Sequence, residues 1–174
     1  MHESAIARAA RPRFFETIIL GGLLIGILDG LDAVIFYGIA DSVPPHTIFQ
    51  GIASGLLGPR SFHYGWLTVL LGIALHFLIA FGAATVYYAA CLKIPSLLRS
   101  PFLFGPAFGL AVYAFMYGFI LPLSAIPFKS SGTSGAALID ELLAHIFLVG
   151  LPVALLASHS AHTQPGSDFA PAEV

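Results

Sequence analysis

Four stretches of this chain, each longer than about 20 residues and nearly free of charge, decide what it can fold into. They run from about Phe14 to Ala40, Gly65 to Cys91, Pro101 to Ser124 and Leu138 to Ser158. A hydrocarbon layer about 30 Å thick takes about 20 helical residues to cross, and each stretch is long enough. Lipid offers no partner for backbone N–H and C=O groups, and the runs are too continuous for the alternating strands of a barrel. The predicted fold is therefore all-α: a polytopic membrane protein built as a four-transmembrane-helix bundle.

Composition removes the competing classes. With 57% hydrophobic and 9% charged residues and a mean hydropathy of +0.90, there is too little charge to clothe a soluble core. A net charge of −2 with no basic stripe gives no footing for nucleic acid, and the expected surroundings are the lipid bilayer. Cys91 has no second cysteine to pair with and reads as a small apolar filler. The N-terminal apolar run is too long for the core of a signal peptide and carries Asp29 and Asp32, so it is expected to stay as a helix.

Residues 1–13 form an N-terminal segment, 14–158 one transmembrane domain, and 159–174 a polar tail expected to be disordered. Pro95 marks a short turn between the second and third spans, and Ala125 to Ala137 reads as a flexible polar loop. Between the first two spans, residues 45–58 predict a short interfacial or re-entrant helix. Thr47 would cap it, Gly58-Pro59 would close it, and Ile48, Phe49, Ile52 and Leu56 would share one side. A structured loop on the bundle top is the other reading. Of the seven Lys and Arg, Arg8, Arg11, Arg13, Lys93 and Arg99 fall on one side and Arg60 and Lys129 on the other. That bias puts both termini in the cytoplasm, with Tyr64 and Trp66 as an aromatic belt at the far face beside His46 and His63.

The spans also hold a few ionisable groups: Asp29 and Asp32 in the first, His76 in the second, Glu141 and His145 in the fourth. Each costs at least about 2.5–3.5 kcal/mol near the bilayer centre on insertion scales, so each needs a partner, a wet cavity or neutralisation. Counted from the presumed outer ends at helical rise, Asp29 and His76 lie about 16 Å deep, Asp32 about 12, His145 about 10 and Glu141 about 4 Å. Three helices thus place polar groups in one half of the membrane, where Tyr37, Tyr113 and Tyr117 can add hydroxyls. Two readings follow. The groups lock helix register by interhelical hydrogen bonds, or they form a proton or ion path. Paired histidines at His76 and His145 also raise a haem b or metal site, though neither His-x-x-Glu nor Glu-x-x-His occurs within a span.

Glycines recur every four residues at Gly22, Gly26 and Gly30, and again at Gly105 and Gly109, so backbones can approach closely along both faces. These serve packing inside the bundle or a contact with a second copy or another membrane protein. Pro106, Pro122 and Pro152 should kink or bound the third and fourth spans. No phosphate loop and no Ser-His-Asp arrangement supports an enzyme.

The run Phe49-Gln50-Gly51-Ile52-Ala53-Ser54-Gly55-Leu56-Leu57-Gly58, with Leu75-His76-Phe77 and Leu121-Pro122-Leu123-Ser124-Ala125-Ile126-Pro127, resembles a set of small uncharacterised bacterial inner-membrane proteins. The resemblance covers about residues 14 to 155. It implies a four-helix fold in the bacterial inner membrane and brings no activity, cofactor or site residue. The functional expectations are a small transporter or channel-like protein, a scaffold or accessory subunit contacting its partner through Gly22, Gly26, Gly30 and the segment Thr47 to Gly58, and a haem- or metal-binding membrane protein.

Overall fold

The computed structural model describes residues 11–127 and 135–163, and all regular structure among them is helical. Four helices are long and apolar enough to cross a membrane: α1 (Phe15–Ala40), α3 (Trp66–Lys93), α4 (Pro101–Leu123) and α5 (Gly135–His162). A shorter helix, α2 (Pro45–Leu57), stands between the first two, followed by a 3₁₀ turn over Gly58–His63. Helix α5 starts three residues earlier and ends four residues later than expected. Residues 159–162, assigned to the tail by sequence, are therefore helical, tied by Ser160 Oγ accepting from the Arg13 N–H at 3.0 Å. The expectations for Arg8, for Lys129 and for the tail beyond Thr163 lie outside the described residues.

Helix α2 corrects one expectation. Pro44, with ψ at 143°, and Pro45 at the first helical position start the helix, because a fixed φ suits the first turn and the missing N–H costs nothing there. Thr47 is not the cap; its own N–H donates to the Pro44 carbonyl at 2.9 Å. Gln50, Ala53 and Ser54 are buried, whereas Leu56 is 64% exposed. Gly58 ends the helix as foreseen, at a φ of +61° that an L side chain rarely adopts.

Close backbone approaches hold the long helices together. On α1, a Cβ at Gly22 would run into the Phe81 ring, at Gly26 it would lie 2.5 Å from Phe77 Cε1, and at Gly30 3.1 Å from His76 Nε2. Between α4 and α5, a Cβ at Gly105 would lie 2.9 Å from Leu151 Cα, one at Gly109 would overlap the His145 carbonyl, and one at Gly150 the Gly105 carbonyl. The buried core is accordingly built from small side chains, Ala80, Ala84, Ala154 and Ala157 among them, with Ile25 and Val153 filling the centre. The large apolar side chains point outward, as lipid-facing side chains do.

Helices α4 and α5 each contain a π turn, Met116–Ile120 and His145–Gly150. The N–H of Leu121 bonds the Met116 carbonyl and that of Leu151 the Ile146 carbonyl, five residues back in each case. Pro122 and Pro152 follow two residues after these turns. The extra residue moves aside the carbonyl that a proline ring would strike, so the expected kinks take the form of local widening.

Candidate functional site: an intramembrane carboxylate–imidazole cluster

The ladder of glycines on α1 sets the first half of the site. Packed at Gly30, the His76 ring points Nε2 at the carbonyl of Gly26, 2.8 Å away. A carbonyl oxygen only accepts, so Nε2 carries the hydrogen. The other ring nitrogen, Nδ1, then faces Asp29 Oδ2 at 4.0 Å. The rings of Phe77 and Phe49 stand edge-on to the imidazole, with centroids at 5.7 and 6.4 Å. Phe49 comes from α2, whose backbone is admitted by Gly72: a Cβ there would overlap the Phe49 carbonyl. The His76 side chain is 12% exposed and Asp29 29% exposed.

Glu141 organises the second half. Its Oε1 accepts from the Tyr37 hydroxyl of α1 at 3.1 Å, and the Tyr117 hydroxyl of α4 also bonds this carboxylate. Its Oε2 lies 3.9 Å from His145 Nδ1, while that same nitrogen donates to the Glu141 backbone carbonyl at 2.8 Å. Tyr113 packs edge-on against the His145 ring at 5.4 Å and stacks on Tyr117 at 4.4 Å. Tyr117 lies inside the π turn of α4 and His145 opens that of α5, so both turns aim a cluster residue inward.

Helix α1 joins the halves, since it carries Asp29 beside His76 and Tyr37 against Glu141. Asp140 is the member sequence reasoning missed. It sits at the start of the fourth span, where an acid looks like an interfacial residue, and the Asp140-Glu141 pair is the signal that could have found it. Four carboxylates, Asp29, Asp32, Asp140 and Glu141, thus lie on α1 and α5 in this part of the bundle, and among the described residues the basic side chains within 4.0 Å of them are His76 and His145.

The cluster stops short towards the end of the bundle where α1 begins and α5 finishes. There Phe77 and Phe81 close over Gly26 and Gly22, and a hydrophobic core runs from Ile25 and Val149 to Ala161, with Tyr87 and Cys91 in it. From Val149 to Ala161 this core is about 18 Å long at helical rise. The opposite end is roofed by α2. Buried Gln50 donates to the Gly65 carbonyl at 3.2 Å and to Thr68 Oγ1 at 3.4 Å, Thr68 Oγ1 donates to the Ser61 carbonyl at 2.6 Å, and the Ala125 N–H donates to the Gly55 carbonyl at 2.8 Å.

Haem or metal ligation finds little footing in this geometry. The two imidazoles are turned to different helices, His76 to α1 and His145 to α4. Among the described residues, no group of three or more His, Cys, Asp or Glu side chains converges to hold a metal ion. The glycines named as a contact surface are occupied internally, since Phe81, Phe77 and His76 of α3 fill the spaces at Gly22, Gly26 and Gly30.

No known protein family matches the chain, and comparison with curated proteins and with solved structures returns no similar protein.

Proposed function

We propose that this multi-pass protein carries a proton-exchange site in the Asp29–His76 couple, on the α2 side of the bundle, and acts as a small proton-coupled transporter or channel-like protein. One observation carries the reading. With its hydrogen on Nε2 and bonded to Gly26, a neutral His76 turns an Nδ1 lone pair towards a carboxylate oxygen 4.0 Å away. Two acceptors facing each other repel, and one added proton on either group turns the pair into a donor and an acceptor. At 4.0 Å the exchange runs through a bridging water or a small shift of the Asp29 side chain. Asp32, Asp140 and Glu141 are the groups that relay protons between the couple and the α2-side aqueous phase. Beyond the couple, Phe77 and Phe81 pack into the spaces at Gly26 and Gly22, so passage on that side requires the α1–α3 ladder to part.

The location that goes with this reading is a bacterial inner membrane with both termini cytoplasmic. The described basic residues Arg11, Arg13, Lys93 and Arg99 stand at the end opposite α2, with Arg60 alone at the α2 end. The cluster then faces the outer aqueous phase.

A second reading, a purely structural lock, has the 2.8 Å bond from His76 to Gly26 in its favour. Proton flux in vesicles enclosing a pH-sensitive dye separates the two, with wild type, Asp29→Asn and His76→Phe compared under an imposed pH difference. The proton reading expects flux in the wild type and its loss in both folded variants. Variants that fold and pass protons as the wild type does, or a wild type that passes none, leave the lock.

A further inference from the structure

We infer that the groove between α1 and α5 is a binding site for one anionic phospholipid, its acyl chain lying along the groove and its phosphate held at the helix ends by Arg13 and His159. The inference needs the membrane setting but not the proton reading. The groove, about 390 Å³ in volume, is lined by Leu24 and Leu28 of α1 and by Phe147, Leu151, Leu155 and His159 of α5, among others. Its walls are apolar except at one end, where His159 stands.

Length and charge together identify the occupant. From Phe147 to His159 the groove follows α5 for about 18 Å at helical rise, close to the half-thickness of about 15 Å that one leaflet contributes. A single acyl chain entering at His159 therefore ends near the bilayer centre, beside Phe147. At the mouth, the backbone N–H of Arg13 donates to Ser160 Oγ at 3.0 Å, which fixes Arg13 level with His159 and one turn below His162. Leu24 and Leu28 line the groove from α1, and Arg13 stands just before the first turn of that helix. Arg13 shares one guanidinium nitrogen with Glu16 at 2.6 Å, and its side chain is half exposed, so further donors remain for a phosphate.

The wider charge distribution agrees. Among the described residues, Arg11, Arg13, Lys93 and Arg99 gather at this end with Glu16 as the acid, whereas Asp29, Asp32, Asp41, Asp140 and Glu141 lie towards the other. An anionic headgroup is attracted to the mouth of the groove and repelled from the opposite end. A zwitterionic headgroup gains little from either.

The test is native mass spectrometry of the full-length protein, released from nanodiscs holding equal amounts of phosphatidylglycerol and phosphatidylcholine with matched chains. Wild type should retain one phosphatidylglycerol at least about fivefold over phosphatidylcholine, the worth of one basic side chain at a lipid surface. Leu155→Trp, which fills the groove, should lose both lipids. The double variant Arg13→Gln with His159→Gln changes only exposed head-end groups, and should retain the two lipids equally. Equal retention of both lipids by wild type overturns the proposal. So does undiminished preference for phosphatidylglycerol in the double variant, which keeps the test decisive should Leu155→Trp fail to fold.

Discussion

The imidazole of His76 lies against Gly30 with Nε2 only 3.1 Å from where a Cβ would stand, in the same relation that Phe77 holds to Gly26 and Phe81 to Gly22. Three consecutive spaces on α1 are thus filled by three rings from α3, and the third ring happens to be ionisable. Packing and chemistry can therefore be separated at this position by a substitution that keeps a ring.

His76→Phe keeps the ring and loses the hydrogen bond to Gly26, so it should cost about 0.5–1.5 kcal/mol of stability. His76→Ala empties the space and should cost about 2 kcal/mol more, the low end for large-to-small core substitutions. Chemical unfolding in detergent measures both. Equal costs for the two variants would mean that the ring is not held as a packing element.

Gly72 is where α2 meets α3, and any side chain there strikes the Phe49 carbonyl. Gly72→Ala should push α2 off its seat at a cost of about 1–3 kcal/mol, as overpacking does. Amide exchange over Gln50 to Ser54 should speed up. Gly82, also on α3, has nothing within 4 Å of a Cβ, so Gly82→Ala should be neutral or stabilising by up to about 1 kcal/mol through helix propensity. Unchanged exchange in Gly72→Ala would show that α2 is not fixed by this contact.

Some of this was legible in the sequence, for physical reasons that differ by element. The four spans are, because lipid admits only long apolar helices, and the inward placement of Asp29, His76 and Glu141 follows from the cost of exposing them to it. The seat of α2 was not. That Ile48, Phe49, Ile52 and Leu56 share one side does not say whether that side meets the bundle or the lipid, because the outside is also apolar. Size separates the two environments here: Ala53, Ser54 and Gln50 are buried while Leu56 faces out. The π turns were hidden as well, since Pro122 and Pro152 announce a disturbance in the helix without saying whether it bends or widens.

Glu141 receives hydroxyls from two other helices, so its two tyrosine bonds should be coupled. Tyr37→Phe removes the 3.1 Å bond but leaves the bond from Tyr117, and should cost about 0.6 kcal/mol, the membrane average for such a bond. Removing both hydroxyls should cost more than the sum of the single losses, because the carboxylate is then left without either partner. A double-mutant cycle on unfolding free energy measures this, and strict additivity would mean that water replaces each hydroxyl as it is removed.

The proton reading expects access to the cluster from the α2 side, and cysteine substitution can read that directly. The native Cys91 is 1% exposed, so it contributes little background to labelling by a membrane-impermeant thiol reagent. Arg60→Cys and Arg99→Cys are exposed at opposite ends of the bundle and define the two sides. Asp32→Cys should label from the same side as Arg60→Cys, while Val153→Cys, fully buried in the core, should resist labelling from either. Labelling of Asp32→Cys from the side that labels Arg99→Cys would mean that water crosses the Phe77 and Phe81 layer, and the site would then be a continuous pore rather than a one-sided one. In intact cells, the side on which Arg60→Cys reacts also decides orientation: labelling from outside puts α2 and the cluster outside, as the proposed orientation expects.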